Sequence, residues 1–374
     1  MAVSKIDIAE FLNLAEVYPV LDVRSPSEYH HAHIPGAVNL PLFSDEERAI
    51  VGTTYKQNSR EAAIKKGLDF FGPKMRRMVE EVESLVASRN EGTTEKKDSI
   101  PAPRPANIVL VHCWRGGMRS AGVAWLLDLY GFKVYSLAGG YKMYRQYVHQ
   151  TFAIPCDFII VGGYTGSGKT FVLKELEKRG ENIIDLEGIA CHKGSAFGAI
   201  GQPRQPSQEM FENILSAGLR KKIAVQTSSP IWIEDESQRI GLVNLPPAFW
   251  ERMRESPVYF LEVPFEERLQ YIVHWYGGLD TERMVDAIQR IRKRLGGLDA
   301  KLATAYLLEN NVEEGFRILL KYYDKYYLKG LNNRNNIELL IKTISCDKVD
   351  APKNAEKILQ HHKSLVNVND ITHG

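Results

Sequence analysis

The chain has 374 residues, 44% of them hydrophobic and 25% charged, the balance of a globular protein long enough for two domains. A net charge of +2 excludes a blanket electrostatic coat for nucleic acid but leaves room for a local basic face. Four cysteines at 113, 156, 191 and 346 form no CxxC pair, which argues against a structural zinc site and suits a reducing cytoplasm. The first residues lack a signal-type apolar region, and no run of about 18 apolar residues suggests a membrane span.

In chain order, residues 18–23 (YPVLDV) read as a short buried strand. Residues 88–106 are polar and Pro-rich and predict a mobile surface loop. Strands follow at 107–112 and 133–137, with a helix over 119–130 between them. The alternation predicts a parallel sheet, so residues 1–150 are expected to form one α/β domain. A second alternation begins with a strand at 157–161, then a Gly-rich turn, a helix over 169–179 and a strand at 182–186. Further strands are expected at 229–234 and 257–263. From 264 the pattern turns helical, over 264–276, 280–295, 299–309 and 312–328. The second domain is therefore placed at 155–330. Residues 331–374 have weak periodicity and many Asn, and support no assignment.

Cys113 stands in V-H-C-W-R-G-G-M-R-S, after a strand and at the opening of a helix. Backbone N–H groups there make an anion cradle, and Arg115 and Arg119 are expected to help hold the thiol as thiolate. Such a thiolate can attack or carry a sulfur or selenium atom. A buried structural cysteine is the plainer alternative, but two glycines and two arginines directly after it fit that poorly. His112, Cys113, Arg119 and Ser120 also satisfy the spacing of a cysteine phosphatase, in which Arg119 would grip a phosphate. Asp22 and Arg24 read as a structural ion pair. His30, His31 and His33 form no ligand set and read as turn and surface residues, with His33 near the mouth of the site.

Residues 163–170 (G-Y-T-G-S-G-K-T) satisfy the P-loop pattern between an apolar strand and a helix. Gly163, Gly166, Ser167 and Gly168 would wrap a phosphate, Lys169 would supply charge, and Thr170 could place a hydroxyl on Mg²⁺. Asp185, Glu187, Glu234, Asp235 and Glu236 follow strand ends and are candidates to hold that metal, to meet substrate, or simply to cap turns. Residues 192–212 form an irregular Gly- and Pro-containing stretch, either a substrate loop or a surface excursion. The basic clusters at 220–222 and 290–294 are solvated helix faces or an RNA footprint.

Residues 22–37 (D-V-R-S-P-S-E-Y-H-H-A-H-I-P-G-A) and 137–142 (L-A-G-G-Y-K) resemble a rhodanese domain. The order of motifs says more. C-W-R-G-G-M-R-S is followed by the P-loop, by D-L-E-G-I-A-C-H-K-G-S-A-F-G at 185–198, and by E-D-E-S-Q-R-I-G at 234–241. Together with G-T-T-Y-K-Q at 52–57 and Y-Y-D-K-Y-Y at 322–327, this resembles the bacterial tRNA 2-selenouridine synthase family over about residues 15–330. The resemblance implies a rhodanese-like domain joined to a P-loop NTPase-like parallel-sheet domain with C-terminal helices. It implies an enzyme that geranylates wobble 2-thiouridine of tRNA from geranyl diphosphate, then replaces the geranylated sulfur with selenium from selenophosphate. Lys169 and Thr170 would grip the diphosphate, Cys113 would serve the selenium step, and Arg115 and Arg119 would hold its anionic donor. Arg239 could meet a phosphate of donor or tRNA. A selenophosphate synthetase is the implied supplier, and no tightly bound cofactor is expected. The loop at 88–106 is longer and more Pro-rich than the family leads one to expect. The rival readings are a P-loop kinase or NTPase with a sulfurtransferase module, a phosphatase built on Cys113, and a non-catalytic sulfur carrier.

Overall fold

The computed structural model describes residues 3–91, 107–225 and 229–372, which fall into two compact units, Met1–Gln150 and Thr151–Gly374. The first holds strands β1 (Ser4–Ile6), β2 (Val20–Asp22), β3 (Val38–Asn39), β4 (Ile108–His112) and β5 (Lys133–Leu137). They form one sheet in the order β1-β5-β4-β2-β3, parallel throughout. The central strand, Ile-Val-Leu-Val-His, is buried at every position, as a strand covered on both faces must be. Its core includes Val109, Val111, Val123, Leu127 and Phe132. Three helices the apolar pattern had not resolved, Asp45–Gln57, Arg60–Phe71 and Met75–Glu91, lie between β3 and β4. Of the loop expected at 88–106, residues 88–91 finish the last of these helices, and the remainder lies outside the described residues.

The second unit holds β6 (Phe158–Gly163), β7 (Asn182–Ile184), β8 (Ile231–Glu234), β9 (Arg239–Ile240), β10 (Val243–Asn244), β11 (Val258–Glu262) and β12 (Ile341–Ser345). Its main sheet runs β12-β11-β6-β8-β7, again parallel, with β9 and β10 as a separate antiparallel pair. The helices Phe265–Tyr276, Thr281–Leu295, Gly297–Leu308 and Val312–Asn332 pack around Leu269, Ile288, Ala303 and Leu319.

Residues after 331, unassigned from the sequence, complete this unit. β12 extends the sheet beside β11, and the helix Ala351–Thr372 buries Ala355 and Ile358 against Val172, Leu173 and Leu176 of the P-loop helix. Their pattern was weak for a physical reason. An edge strand buries little of its length (in I-K-T-I-S only Ile344 is buried), so no clean alternation is written into it.

In a parallel sheet all carboxyl ends point to one edge, where ligands meet an α/β fold. In the first unit this edge gathers Asp22–Arg24, Cys113 and the turn after Leu137. In the second it gathers Gly163–Thr170, Asp185–Glu187 and Glu234–Glu236.

The Asp22–Arg24 pair is structural, as its placement implied. Both side chains are buried. Arg24 Nε donates to Asp22 Oδ1 at 3.0 Å, and Nη2 donates to Asp22 Oδ2 at 2.6 Å and to the Ala32 carbonyl at 2.7 Å. Its guanidinium lies 3.8 Å from the Tyr141 ring centroid. Burial raises the Asp22 carboxyl, but the charges of His112 and Arg24 and the hydrogen bonds from Arg24 leave it below its ordinary value. Removing one partner strands the other charge in the core, so Arg24→Ala should cost about 3–5 kcal/mol in denaturant unfolding. Arg24→Lys should recover only part of this, because a point charge cannot reproduce the fork.

Candidate functional site

Cys113 ends the strand-to-turn passage after β4 and is 3% exposed. Its Sγ lies 3.3 Å from Ser120 Oγ. Burial alone would push the thiol up. Hydrogen bonds from the Ser120 hydroxyl and from the backbone N–H groups of Ser120, Arg115 and Gly117 outweigh burial and leave it lowered. The groups that lower it are backbone N–H groups and a hydroxyl, not arginine side chains. Arg119 Nη1 donates to Glu28 Oε2 at 2.7 Å. Its charge is thus shared with a carboxylate.

The turn after β5 closes the cradle from behind. Tyr141 N–H donates to the Cys113 carbonyl at 2.8 Å and Lys142 N–H to the Trp114 carbonyl at 2.9 Å. Gly140 has φ +60°, and a Cβ there would stand 2.4 Å from both the Cys113 carbonyl oxygen and the Gly116 nitrogen. Only glycine fits, which explains the L-A-G-G-Y-K run. His112 is fully buried and burial holds its pKa down despite Asp22, whose Oδ2 is 3.7 Å away. Its ring packs against Phe11 and Tyr141. His33 stacks on Tyr29 at 4.0 Å between ring centroids.

At the second site Gly163 ends β6 and Gly168 caps the helix that starts at Lys169. Gly166 and Gly168 have φ +84° and +77°, the left-handed turn that lets successive N–H groups face a phosphate. Lys169 Nζ donates to the Gly163 carbonyl at 2.9 Å. Ser167 is buried, and among the described residues its hydroxyl has no hydrogen-bond partner. Thr170 Oγ1 donates to Glu187 Oε2 at 2.6 Å, and Glu187 N–H donates to Glu234 Oε1 at 2.8 Å. Burial first, then the charges of Asp185 and Glu187, push the Glu234 carboxyl well up. Glu236 is pushed up as well, by burial and Glu187, with Lys169 opposing.

The candidate acids thus separate. Glu187, Glu234 and Glu236 gather at the P-loop. Asp185 accepts from Gly188 N–H at 2.7 Å and caps the short helix Leu186–Ala190. Asp235 accepts from the Tyr327 hydroxyl at 2.7 Å and pairs with Arg334. Arg239 is exposed on β9, where its Nε donates to the Gly241 carbonyl at 2.9 Å. Among the described residues no group of three His, Cys, Asp or Glu side chains could hold a metal. Thr170, Glu187 and Glu234 form one hydrogen-bonded chain beside the P-loop.

The sequence left the supports of the P-loop unrecognised. Arg268 donates to the Thr165 carbonyl at 3.1 Å and makes a two-pronged pair with Asp324 at 2.8 and 2.7 Å. The Tyr323 hydroxyl accepts from Ala196 N–H at 3.2 Å. The Tyr327 hydroxyl accepts from Gly163 N–H at 3.0 Å while donating to Asp235. The run at 322–327 therefore buttresses both the P-loop and the loop that starts at His192. Its signal was tyrosines four apart on one helix face, a pattern shared with ordinary core packing. Tyr327→Phe should cost about 1–3 kcal/mol in thermal unfolding, because it orphans a buried N–H and a carboxylate oxygen together. Arg290, from the basic cluster, donates to the Ala196 carbonyl at 3.0 Å, so that arginine serves this loop.

Beside Thr165 lies a small cavity of about 20 Å³, lined by Thr165, Ser195, Phe197, Ile272, Tyr276, Phe316, Leu320 and Tyr323. Its walls are almost wholly apolar.

A sequence profile described as the tRNA 2-selenouridine synthase AAA domain matches residues 156–347, and one for the rhodanese-like domain matches residues 7–147. The chain belongs to the tRNA 2-selenouridine synthase family. It is 35% identical over 302 residues to the tRNA 2-selenouridine synthase of Nitrosomonas europaea, covering 80% of this chain and 73% of that one. It is 36% identical over 344 residues to that of Cupriavidus pinatubonensis and 33% identical over 347 residues to that of a Sulfurovum species. Each match covers 83% of this chain and 87% of the relative. The family membership accounts for the pairing of a rhodanese-like unit with a P-loop unit. Among the described residues no helix is long and apolar enough to cross a membrane.

Proposed function

We propose that the protein is a tRNA 2-selenouridine synthase that works through a geranylated intermediate. The observation that carries the reading is the P-loop of a chain of this family, where left-handed Gly166 and Gly168 and the Lys169 ammonium form an anion cradle. Such a cradle suits the diphosphate of an allylic donor.

In the first step the sulfur of wobble 2-thiouridine bonds to the allylic carbon, the carbon–oxygen bond breaks, and diphosphate leaves. The sulfur-bearing base gives up its proton. Lys169 and the N–H groups of residues 166–170 meet the negative charge as it gathers on the leaving group. In the second step a carbon–selenium bond forms at the same base carbon. The geranylthiolate leaves and takes a proton, and water replaces selenium on phosphorus to release phosphate. Cys113 and its cradle serve this step, with Arg115 and the Glu28-paired Arg119 as cationic neighbours. The donor is selenophosphate, supplied by a selenophosphate synthetase, and the tRNA substrate implies a cytoplasmic location.

The test is mass spectrometry of nucleosides from 2-thiouridine tRNA incubated with the protein and geranyl diphosphate, then with selenophosphate. Geranylated nucleoside followed by its selenium analogue is the expected result. Unchanged 2-thiouridine with folded protein sinks the reading. ATP turnover or hydrolysis of a phosphotyrosine mimic in its place would favour the NTPase or phosphatase alternatives.

A further inference from the structure

Three aromatic rings stand together at the mouth of the P-loop without a part in the chemistry above. Phe171 follows Lys169 and Thr170 on the first turn of their helix, and Tyr271 and Trp275 lie four apart on the helix Phe265–Tyr276. Phe171 and Trp275 have ring centroids 5.5 Å apart, tilted by 33°. Tyr271 is 6.4 Å from Phe171 and 6.3 Å from Trp275. Yet Phe171 is 43% and Trp275 45% exposed. Two lysines flank them. Lys193 Nζ lies 5.4 Å from the Trp275 ring centroid, and Lys174 Nζ lies 6.0 Å from that of Phe171. The acid nearest Lys174 is Asp185, at 4.0 Å, which already caps its own helix.

Leaving an indole and a phenyl ring half in water forfeits burial energy, and rings of this size usually find cover. Exposed π-faces bordered by lysines are the combination that takes an unpaired base with its backbone phosphates. A paired base is stacked within its helix and offers no free face, so the surface selects single-stranded RNA.

We propose that Phe171, Tyr271 and Trp275 form a stacking platform for an unpaired RNA base, with Lys174 and Lys193 meeting the phosphates on either side. This rests on the tRNA reading above and deepens it. The platform sets the nucleoside next to the P-loop, where the allylic carbon would be presented.

The test uses the full chain, a fluorescent RNA hairpin with an unpaired loop, and a blunt RNA duplex of the same length, followed by anisotropy. Trp275→Leu and Phe171→Leu keep apolar bulk but remove the π-face. Each should weaken hairpin binding roughly tenfold and leave duplex binding and inorganic pyrophosphate binding unchanged, while Trp275→Phe should keep most of the affinity. Unchanged hairpin binding in both leucine variants overturns the platform alone. So does a parallel loss of hairpin and pyrophosphate binding, which would mark the rings as supports of the P-loop. A wild-type protein that binds neither RNA overturns the tRNA reading itself.

Discussion

Cys113→Ala should cut formation of 2-selenouridine by roughly three orders of magnitude or more, while the geranylated nucleoside still accumulates. The division follows from chemistry: the first step needs a diphosphate cradle, and the Cys113 site offers an anion-stabilised sulfur. The pH profile supplies an independent check. A thiol held below its ordinary value is charged above that lowered value and loses its charge as pH falls through it. The selenium step should therefore reach its plateau before an ordinary cysteine has ionised, about pH 8.5. Ser120→Ala removes the hydroxyl 3.3 Å from the sulfur and should move the profile upward. Ultraviolet thiolate absorbance, taken as the difference between wild type and Cys113→Ala, reads the same shift without substrate. A profile that ignores Ser120 would leave the cradle without influence on the sulfur.

Much of this architecture was legible in the chain, for a physical reason. Central parallel strands are buried on both faces, so I-V-L-V-H and F-I-I-V-G-G announce themselves as unbroken apolar runs. The P-loop and the Cys113 turn announce themselves through glycines that only special backbone angles explain. Where the signal failed, the structure depends on partners distant in sequence. β1 and β3 are three and two residues long, too short for any period. Arg268, Asp324 and Tyr327 act on the P-loop from about 100 to 160 residues away, and nothing local marks them. The pairing of Arg119 is not visible in the sequence because Glu28, its partner, is 91 residues upstream. The acids after β7 and β8 stand at strand ends, but Asp185 is tied to a helix cap and Asp235 to Arg334. Sorting them required side-chain direction, which a strand's period gives only for residues inside the strand.

Lys169→Ala should cut geranyl transfer by about 10²–10³-fold, the usual loss when one preorganised donor to a developing anion is removed. Binding of inorganic pyrophosphate should fall with it, since the lysine meets ground state and transition state alike. The selenium step on a pre-geranylated tRNA should be spared, and so should the Cys113 pH profile. Lys169→Arg should not restore the rate. The loop leaves room for a compact ammonium 2.9 Å from the Gly163 carbonyl and 5.7 Å from the Tyr327 ring, whereas a guanidinium is a broad planar fork. The nearby carboxyls sharpen the expectation. Burial and Glu187 raise Glu236, and Lys169 opposes that rise. Without the lysine, Glu236 should hold its proton to still higher pH, so added alkali should do little to rescue transfer through this group. Equal loss of both steps in Lys169→Ala would contradict a division of labour between the two units and point to a single shared site.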